Sequence, residues 1–448
     1  MNPVLCAKYD VPVPRYTSYP TVPFWSRTPT EEEWLETLRA AVADPDSTWA
    51  LYIHIPYCES LCTFCGCNTV ITQDHGREGR YIALVLAEWD RYVREVPGLL
   101  SRGVRQVHLG GGTPTFLSAA SLRALLLPIV TRLSIRSEAL DASVEVNPKV
   151  TSAEQLRTLR ELGFTRVSMG VQDFDATVQR LVNRVQPFDV TERLTAEARA
   201  LGYESVNYDL IYGLPRQTPA TARRTADLTV QLAPDRIALY SFAKVPWFQP
   251  AQRLFKDEDL PEGAAKRELY EIARDTFLSA GYVEIGMDHF ALPHDALCRA
   301  QLSGDLHRNF MGYTEFRTTV LLGIGVSAIS ETPSCLHQNE KVEPIYARRI
   351  EAGDVPTLRG HVLTSEDMRA RRQTTTFMTR FRVRLEEDQL ADARSFLAPM
   401  VADGLVRIAD GELQLTEAGR PFLRNAAVFF DHRLRANDPG RPIFSKSL

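Results

Sequence analysis

From residue 51 onward, short apolar runs alternate with longer amphipathic stretches. The runs fall at 51–55, 104–109, 142–146, 166–170, 205–211 and 236–240, and a seventh candidate lies at 282–285. Their length and apolar content read as strands. Helical periodicity fills the gaps at 80–96, 119–133, 152–162, 189–201, 219–232 and 262–280. Ser152 with Gln155 reads as a capping box, and Gly163, Gly202 and Gly281 each stand where a helix should end. Strand–helix alternation at this spacing predicts a parallel sheet with right-handed crossovers. The fold class is therefore α/β. Periodicity leaves open whether six such units make an open sheet or an incomplete (β/α)6 barrel.

The flanks differ. Residues 1–50 form an arm carrying Pro12, Pro14, Pro20, Pro23 and Pro29, followed by a helix over about 30–42 that Thr30 and Glu33 can cap. After 290 the alternation stops. Residues 291–361 read as irregular, with glycines concentrated at 312–325. Helical patterns return at 365–381 and 385–402. A hairpin at 405–415 then turns at Asp410-Gly411, and a further helix is expected from Thr416. Helix, hairpin and helix resemble a small winged-helix unit. It lacks a dense basic helix, so it reads as a lid or scaffold. The expected division is an arm (1–50), a partial barrel (51–290) and a mostly helical C-terminal domain (291–448).

Composition narrows the class. The chain has 448 residues, 44% of them apolar, and a formal charge of -4. Those values exclude a collagen-like or disordered chain. They also give no overall attraction to nucleic acid. No apolar run reaches the ~18 residues of a membrane span, and residues 1–14 have no signal-peptide pattern. A cytoplasmic monomer is expected. Of seven cysteines, Cys58, Cys62, Cys65 and Cys67 lie within ten residues, while Cys6, Cys298 and Cys335 are scattered. An odd, clustered set in a reducing compartment points to a metal or an iron–sulfur cluster rather than to disulfides.

The clustered cysteines follow the first strand as C-x3-C-x2-C-x-C, on the loop where parallel α/β proteins place chemistry. A structural zinc site is the plainer reading, but it usually recruits a second ligand pair across a long gap, and Cys298 and Cys335 stand apart. C-x3-C-x2-C resembles the signature of the radical S-adenosylmethionine (AdoMet) enzymes. The resemblance implies that Cys58, Cys62 and Cys65 hold a [4Fe–4S] cluster whose fourth iron stays open for AdoMet. It also implies that Phe64 packs near the adenine. Other chemistry-bearing residues gather at strand ends: the Gly110-Gly111-Gly112-Thr113 turn, Glu145, Gln172, Arg184 and Asp209. Any one of them could be a cap or a structural ion pair. Their shared position favours ligand contact.

The segments 14–21, 52–58, 66–68, 286–291 and 307–310 narrow the likeness. Over nearly its whole length the chain resembles the oxygen-independent coproporphyrinogen III oxidases. By position, the resemblance implies that Tyr52, Gly112, Thr113, Glu145, Gln172, Arg184, Asp209, Ala243 and Ile329 contact two AdoMet molecules. Ala243 and Ile329 neighbour the second. It implies that Tyr52 stacks near the first, and that Cys67 is needed for activity without ligating the cluster. The implied reaction abstracts hydrogen from the β-carbon of a propionate; one-electron oxidation of the substrate radical with loss of carbon dioxide then leaves a vinyl group. Two rounds give protoporphyrinogen IX, with a flavodoxin or ferredoxin as reductant. Arg15, Lys244, Arg308 and Arg317 are the cations expected to meet an anionic tetrapyrrole.

The chain departs from the family pattern. Met311 stands where a glutamine would touch the second AdoMet, Lys244 where histidine is common, and Glu315-Phe316 and 373–378 also differ. Met311 cannot replace the amide's donor and acceptor. These positions keep open a second enzyme, a methyltransferase or cyclopropanase that uses the second AdoMet as a methyl or methylene donor to an aromatic or heterocyclic compound. A haem chaperone is a third reading, and Cys67 and the N-terminal arm count against it.

Overall fold

Alternation along the strands decides the architecture. The structure, a computed structural model, describes residues 2–135, 140–247, 249–437, 440 and 442–447. In β1 (Thr48–Ile55), Trp49, Leu51, Ile53 and Ile55 are buried in the main core, while Tyr52 and His54 occupy alternate positions. The same period of two runs through β2 (Gly103–Gly111), β3 (Asp141–Val146), β4 (Arg166–Gln172), β5 (Ser205–Tyr212) and β6 (Arg236–Ser241). Val107, Leu109, Val144, Val167, Val206 and Ile237 sit in the core with the helices. His108, Glu145, Ser168, Asn207 and Tyr240 line a cavity on the opposite face. One face is thus apolar and covered, the other polar and concave.

β1 to β6 pair in chain order, all parallel. α1 (Glu31–Ala43) precedes β1. α2 (Glu78–Glu95), α3 (Ala119–Val130), α4 (Ala153–Glu161), α5 (Phe188–Ala200), α6 (Pro219–Leu232) and α7 (Gly263–Ser279) follow the successive strands. The expected capping boxes close on α1 (Thr30, Glu33) and α4 (Ser152, Gln155). Gly163, Gly202 and Gly281 take left-handed φ at the expected helix ends. The α/β partial barrel read from the sequence is the fold observed.

Four expectations need correction. The seventh strand, β7 (Val283–Ile285), pairs antiparallel with β8 (His289–Ala291), which itself runs antiparallel to β6. It closes the sheet with a hairpin instead of adding a unit.

Residues 291–361 are not irregular. After the small hairpin β9 (His307–Asn309) and β10 (Gly312–Thr314), β11 (Val320–Ile324) pairs parallel to β1. Then β12 (Ile329–Glu331), β13 (Cys335–Asn339) and β14 (Thr357–Val362) extend one twelve-stranded sheet. β11 and β13 are buried at every position, so they show no alternation. The polar residues of β13 are buried because each has a partner. His337 stacks on Trp34 at 4.7 Å. Gln338 donates to the Ser327 carbonyl. Asn339 donates to Glu88 at 2.7 Å. That carboxylate also accepts from Gly325 N–H and from Tyr346 of α8 (Glu343–Ala352), tying the late strands to α2.

Last, the helix expected over 385–402 splits into Leu390–Phe396 and Ala398–Ala402, and the one expected from Thr416 begins at Leu423. The arm packs Tyr9, Tyr16 and Tyr19 into a second core with Phe377 of α9 (Ser365–Arg380) and Phe430. Among the described residues no helix is long and apolar enough to cross a membrane.

Candidate functional site

The cysteine loop is pinned on two sides. Tyr57 and Cys58 pair parallel with Val70 and Ile71. Thr113 N–H donates to the Tyr57 carbonyl and Gly112 N–H to that of Ile55. A Cβ on Gly112 would stand 2.8 Å from the Tyr57 carbonyl oxygen and 2.9 Å from Pro56 backbone, so only glycine lets the second strand's turn pass under the loop. Thr113 Oγ1 lies 3.3 Å from Cys58 Sγ. On the other side Thr63 N–H donates to Val182, and Asn183 donates to the Leu61 carbonyl at 2.7 Å. Arg184 Nη1 is 3.6 Å from Cys62 Sγ.

Cys58, Cys62, Cys65 and Cys67 all line one cavity of about 470 Å³ that fills the concave face of the sheet. Gly112, Thr113, Glu145, Gln172, Arg184, Asp209, Phe64 and Met311 line it too. The fold therefore gathers residues from seven separate places in the chain. Tyr52 stands behind the wall, stacked on His108 at 5.8 Å and bonded to His54 Nδ1 at 2.9 Å. Ala243 follows β6. Ile329 is a buried residue of β12, in the sheet layer. Neither is among the lining residues.

The two carboxylates differ in state. Glu145 accepts from Gly111 N–H and from His108 Nε2, each at 3.2 Å. Burial alone would raise its pKa, but the contacts with His108, Gly111 and His54 outweigh it and hold Glu145 below the ordinary carboxylate value. Asp209 accepts from Ser168 at 2.8 Å and Asn207 at 3.0 Å. Burial, and then the charge of Glu145, push it up to about 6. Gln172 ends β4 in a left-handed conformation, φ +68°. Arg184 Nη2 donates to the Gly170 carbonyl at 2.8 Å, so the guanidinium is fixed beside the cysteine loop.

The thiols suit iron. Burial pushes Cys58 up to about 11 and raises Cys62 against the opposing charge of Arg184. A hydrogen bond from Cys67 brings Cys65 down to about 7, and the same contact raises Cys67. Metal binding ionises its thiols. Among the described residues no three ligating side chains converge as they do around a single ion.

The four cations expected for an anionic substrate separate. Arg15 pairs with Asp288, beside the ring of Tyr240. Burial would raise Asp288, but Arg15 and His289 hold it well below the usual range. Lys244 pairs with Asp257. Arg308 and Arg317 line a different cavity. Sequence reading missed His54, His108, Ser168, Asn207 and Tyr240 as site neighbours. Their signal was polar residues two apart on a strand: Gln106 and His108, Arg166 and Ser168, Asn207 and Asp209.

Comparison with known proteins agrees with this geometry. The model of the radical SAM superfamily matches residues 52–229. The oxygen-independent coproporphyrinogen III oxidase of Escherichia coli (strain K12) is 39% identical over 441 residues, covering 96% of this chain and 95% of that protein. The enzyme of the same name from Pseudomonas aeruginosa is 38% identical over 443 residues, with 96% and 95% covered. The solved coproporphyrinogen III oxidase of Escherichia coli, described as a radical SAM enzyme, superposes with a TM-score of 0.88 at 38% identity, covering 94% of this chain and 98% of that one.

Proposed function

The chain belongs to the oxygen-independent coproporphyrinogen III oxidases of the radical SAM superfamily, and from that membership we propose how its residues share the work. It is a radical SAM oxidoreductase that takes coproporphyrinogen III to protoporphyrinogen IX with a [4Fe–4S] cluster and two AdoMet per chain. When bound, the cluster and AdoMet supply the electron and the 5′-deoxyadenosyl radical that removes hydrogen from a propionate β-carbon.

Cys58, Cys62 and Cys65 would hold the cluster, and Arg184, with Nη1 3.6 Å from Cys62 Sγ, would offset its negative charge. The Gly112–Thr113 turn and the ionised Glu145 take the methionine end of the first AdoMet. Glu145 is suited to its ammonium because His108 and Gly111 keep the carboxylate deprotonated. Tyr52, braced by His54 and His108, fixes that wall. Asp209 and Gln172 bind the polar groups of the second AdoMet. Phe64 and Met311 supply apolar contact from the cavity wall. Met311 fills the place of an amide without its hydrogen bonds. Cys67, exposed in the cavity wall two residues from Cys65, acts on the substrate side and not as a ligand. The protein works in the cytoplasm as a monomer and is reduced by a flavodoxin or ferredoxin.

One observation carries this reading: the cluster cysteines, Gly112, Glu145, Gln172, Arg184 and Asp209 line a single cavity. The test is anaerobic turnover of reconstituted, reduced enzyme with AdoMet and coproporphyrinogen III, followed by mass. Two losses of carbon dioxide with release of 5′-deoxyadenosine support it. S-adenosylhomocysteine and a methylated product without decarboxylation would replace it with the methyl-transfer reading.

A further inference from the structure

The chain leaving the cysteine loop has two faces. Cys67, Thr69, Ile71 and Gln73 line the cysteine cavity, one residue in two. Asn68 and Val70, which alternate with them, are not in its wall, and Val70 packs against the main core. A period of two is that of extended chain, whose successive side chains point to opposite sides. What holds residues 68 and 70 therefore decides where residue 67 points.

Asn68 is held by its side chain and by its backbone. The amide Nδ2 donates to the Lys341 carbonyl at 3.1 Å. The Asn68 carbonyl lies 3.0 Å from His54 Nε2. A carbonyl only accepts, so that nitrogen carries the proton, and Nδ1 accepts from the Tyr52 hydroxyl at 2.9 Å. Burial lowers the pKa of His54, which favours the neutral ring that this arrangement needs. Beyond Asn68, Val70 N–H donates to the Pro56 carbonyl at 2.7 Å and Thr72 N–H to that of Cys58 at 2.9 Å. The backbone is thus fixed on both sides of Thr69.

The entrance of the loop is tied to the same place as its exit. Tyr57, directly before Cys58, donates to Glu343 Oε1 at 2.8 Å, and Arg77 donates to Oε2 at 3.1 Å. Residues 341–343 lead from β13 into α8. They grip Tyr57 through a side chain and Asn68 through a backbone carbonyl. The ligand cysteines have supports of their own, Thr113 beside Cys58 and Arg184 beside Cys62. The Asn68 amide serves the exit, where Cys67 stands.

We propose that Asn68 is a positioning residue for Cys67. It lies outside the cavity wall, and its amide, bound to the Lys341 carbonyl, keeps the neighbouring thiol turned into the cavity. This rests on the reading of Cys67 as a substrate-side residue and adds what keeps it there. Removing the amide leaves the Asn68 carbonyl for His54, so the Tyr52 wall and the ligand cysteines keep their contacts. Cluster loading and AdoMet cleavage are then retained, and the step on the substrate is lost.

The test compares reconstituted Asn68→Ala with the unaltered chain and with Cys67→Ala. Iron content, visible absorbance and circular dichroism check cluster and fold. Cys67 is exposed, whereas Cys6, Cys298 and Cys335 are buried. Its alkylation by iodoacetamide in the loaded protein is followed by peptide mass, with and without coproporphyrin III. The proposal expects coproporphyrin III to slow alkylation in the unaltered chain and not in Asn68→Ala. It also expects carbon dioxide released per 5′-deoxyadenosine to fall by roughly ten- to a hundredfold in Asn68→Ala, the same uncoupling as in Cys67→Ala. Equal protection in both proteins, or parallel loss of AdoMet cleavage and decarboxylation, would overturn it. Should Asn68→Ala fail to load iron, Asn68→Asp, which keeps the shape without the N–H donor, carries the same comparison. Iron lost in both variants would also overturn the proposal, since Asn68 would then hold the loop as a whole. Alkylation of the unaltered chain that ignores coproporphyrin III would refute the substrate-side reading of Cys67 itself, and the proposal with it.

Discussion

At the residue scale the site rests on contacts that tolerate little change. Cys62→Ala removes one of three cluster thiols. It should cut bound iron and the visible cluster absorbance sharply and abolish 5′-deoxyadenosine release, as iron analysis and product chromatography would register. Gly112→Ala drives a methyl group into the backbone of Pro56 and Tyr57. Backbone cannot step aside as a flexible side chain can, so a loss of about 1–3 kcal/mol in stability is expected, together with weaker AdoMet binding.

Asp209 gives a pH prediction with a definite sign. Its carboxyl rises from 3.8 to about 6 on folding. The folded state therefore holds the proton more tightly than the unfolded chain. That contribution is complete below pH 4 and is lost as pH rises through about 6. At pH 8 the ionised carboxylate costs the protein without AdoMet roughly 2–3 kcal/mol. Asp209→Asn should raise the Tm at pH 8, leave it little changed at pH 4, and weaken AdoMet binding. A Tm gain that is the same at both pH values would contradict this assignment.

At the element scale, α2 and β11 to β13 form one mechanical unit around Glu88. Its carboxylate receives Gly325, Asn339 and Tyr346 within 2.8 Å. Glu88→Ala leaves those donors buried and unpaired, and a loss of about 2–4 kcal/mol in denaturant midpoint analysis is expected. These elements also mark where the sequence stopped being readable. β1 to β6 were legible because polar and apolar residues alternate between cavity and helices, and α1 and α4 because their caps are written as Thr30/Glu33 and Ser152/Gln155. β11 and β13 were not. Both faces are buried, the strands are five residues long, and His337, Gln338 and Asn339 look like loop residues until their partners are brought in by the fold. In the site, the cysteine spacing and the strand-end residues were visible in the chain. His54 and His108 were written only as polar residues alternating along β1 and β2, and their role depends on register between strands.

At the scale of the whole molecule, the partial barrel does not end at residue 290. β11 covers the edge of β1 along Trp49 to Ile53, and the arm fills the core shared with α9. A fragment ending at residue 300 should expose that apolar edge. We expect it to aggregate or to unfold without cooperativity, whereas the full chain melts in a cooperative transition, as calorimetry would show.

The most direct test of the account is isotopic. Coproporphyrinogen III deuterated at the propionate β-carbons is turned over anaerobically, and the 5′-deoxyadenosine released is weighed by mass spectrometry. Hydrogen abstraction from the propionate puts deuterium into that 5′-deoxyadenosine, with carbon dioxide formed in step with it. Unlabelled 5′-deoxyadenosine accompanying full decarboxylation would contradict hydrogen abstraction at this site.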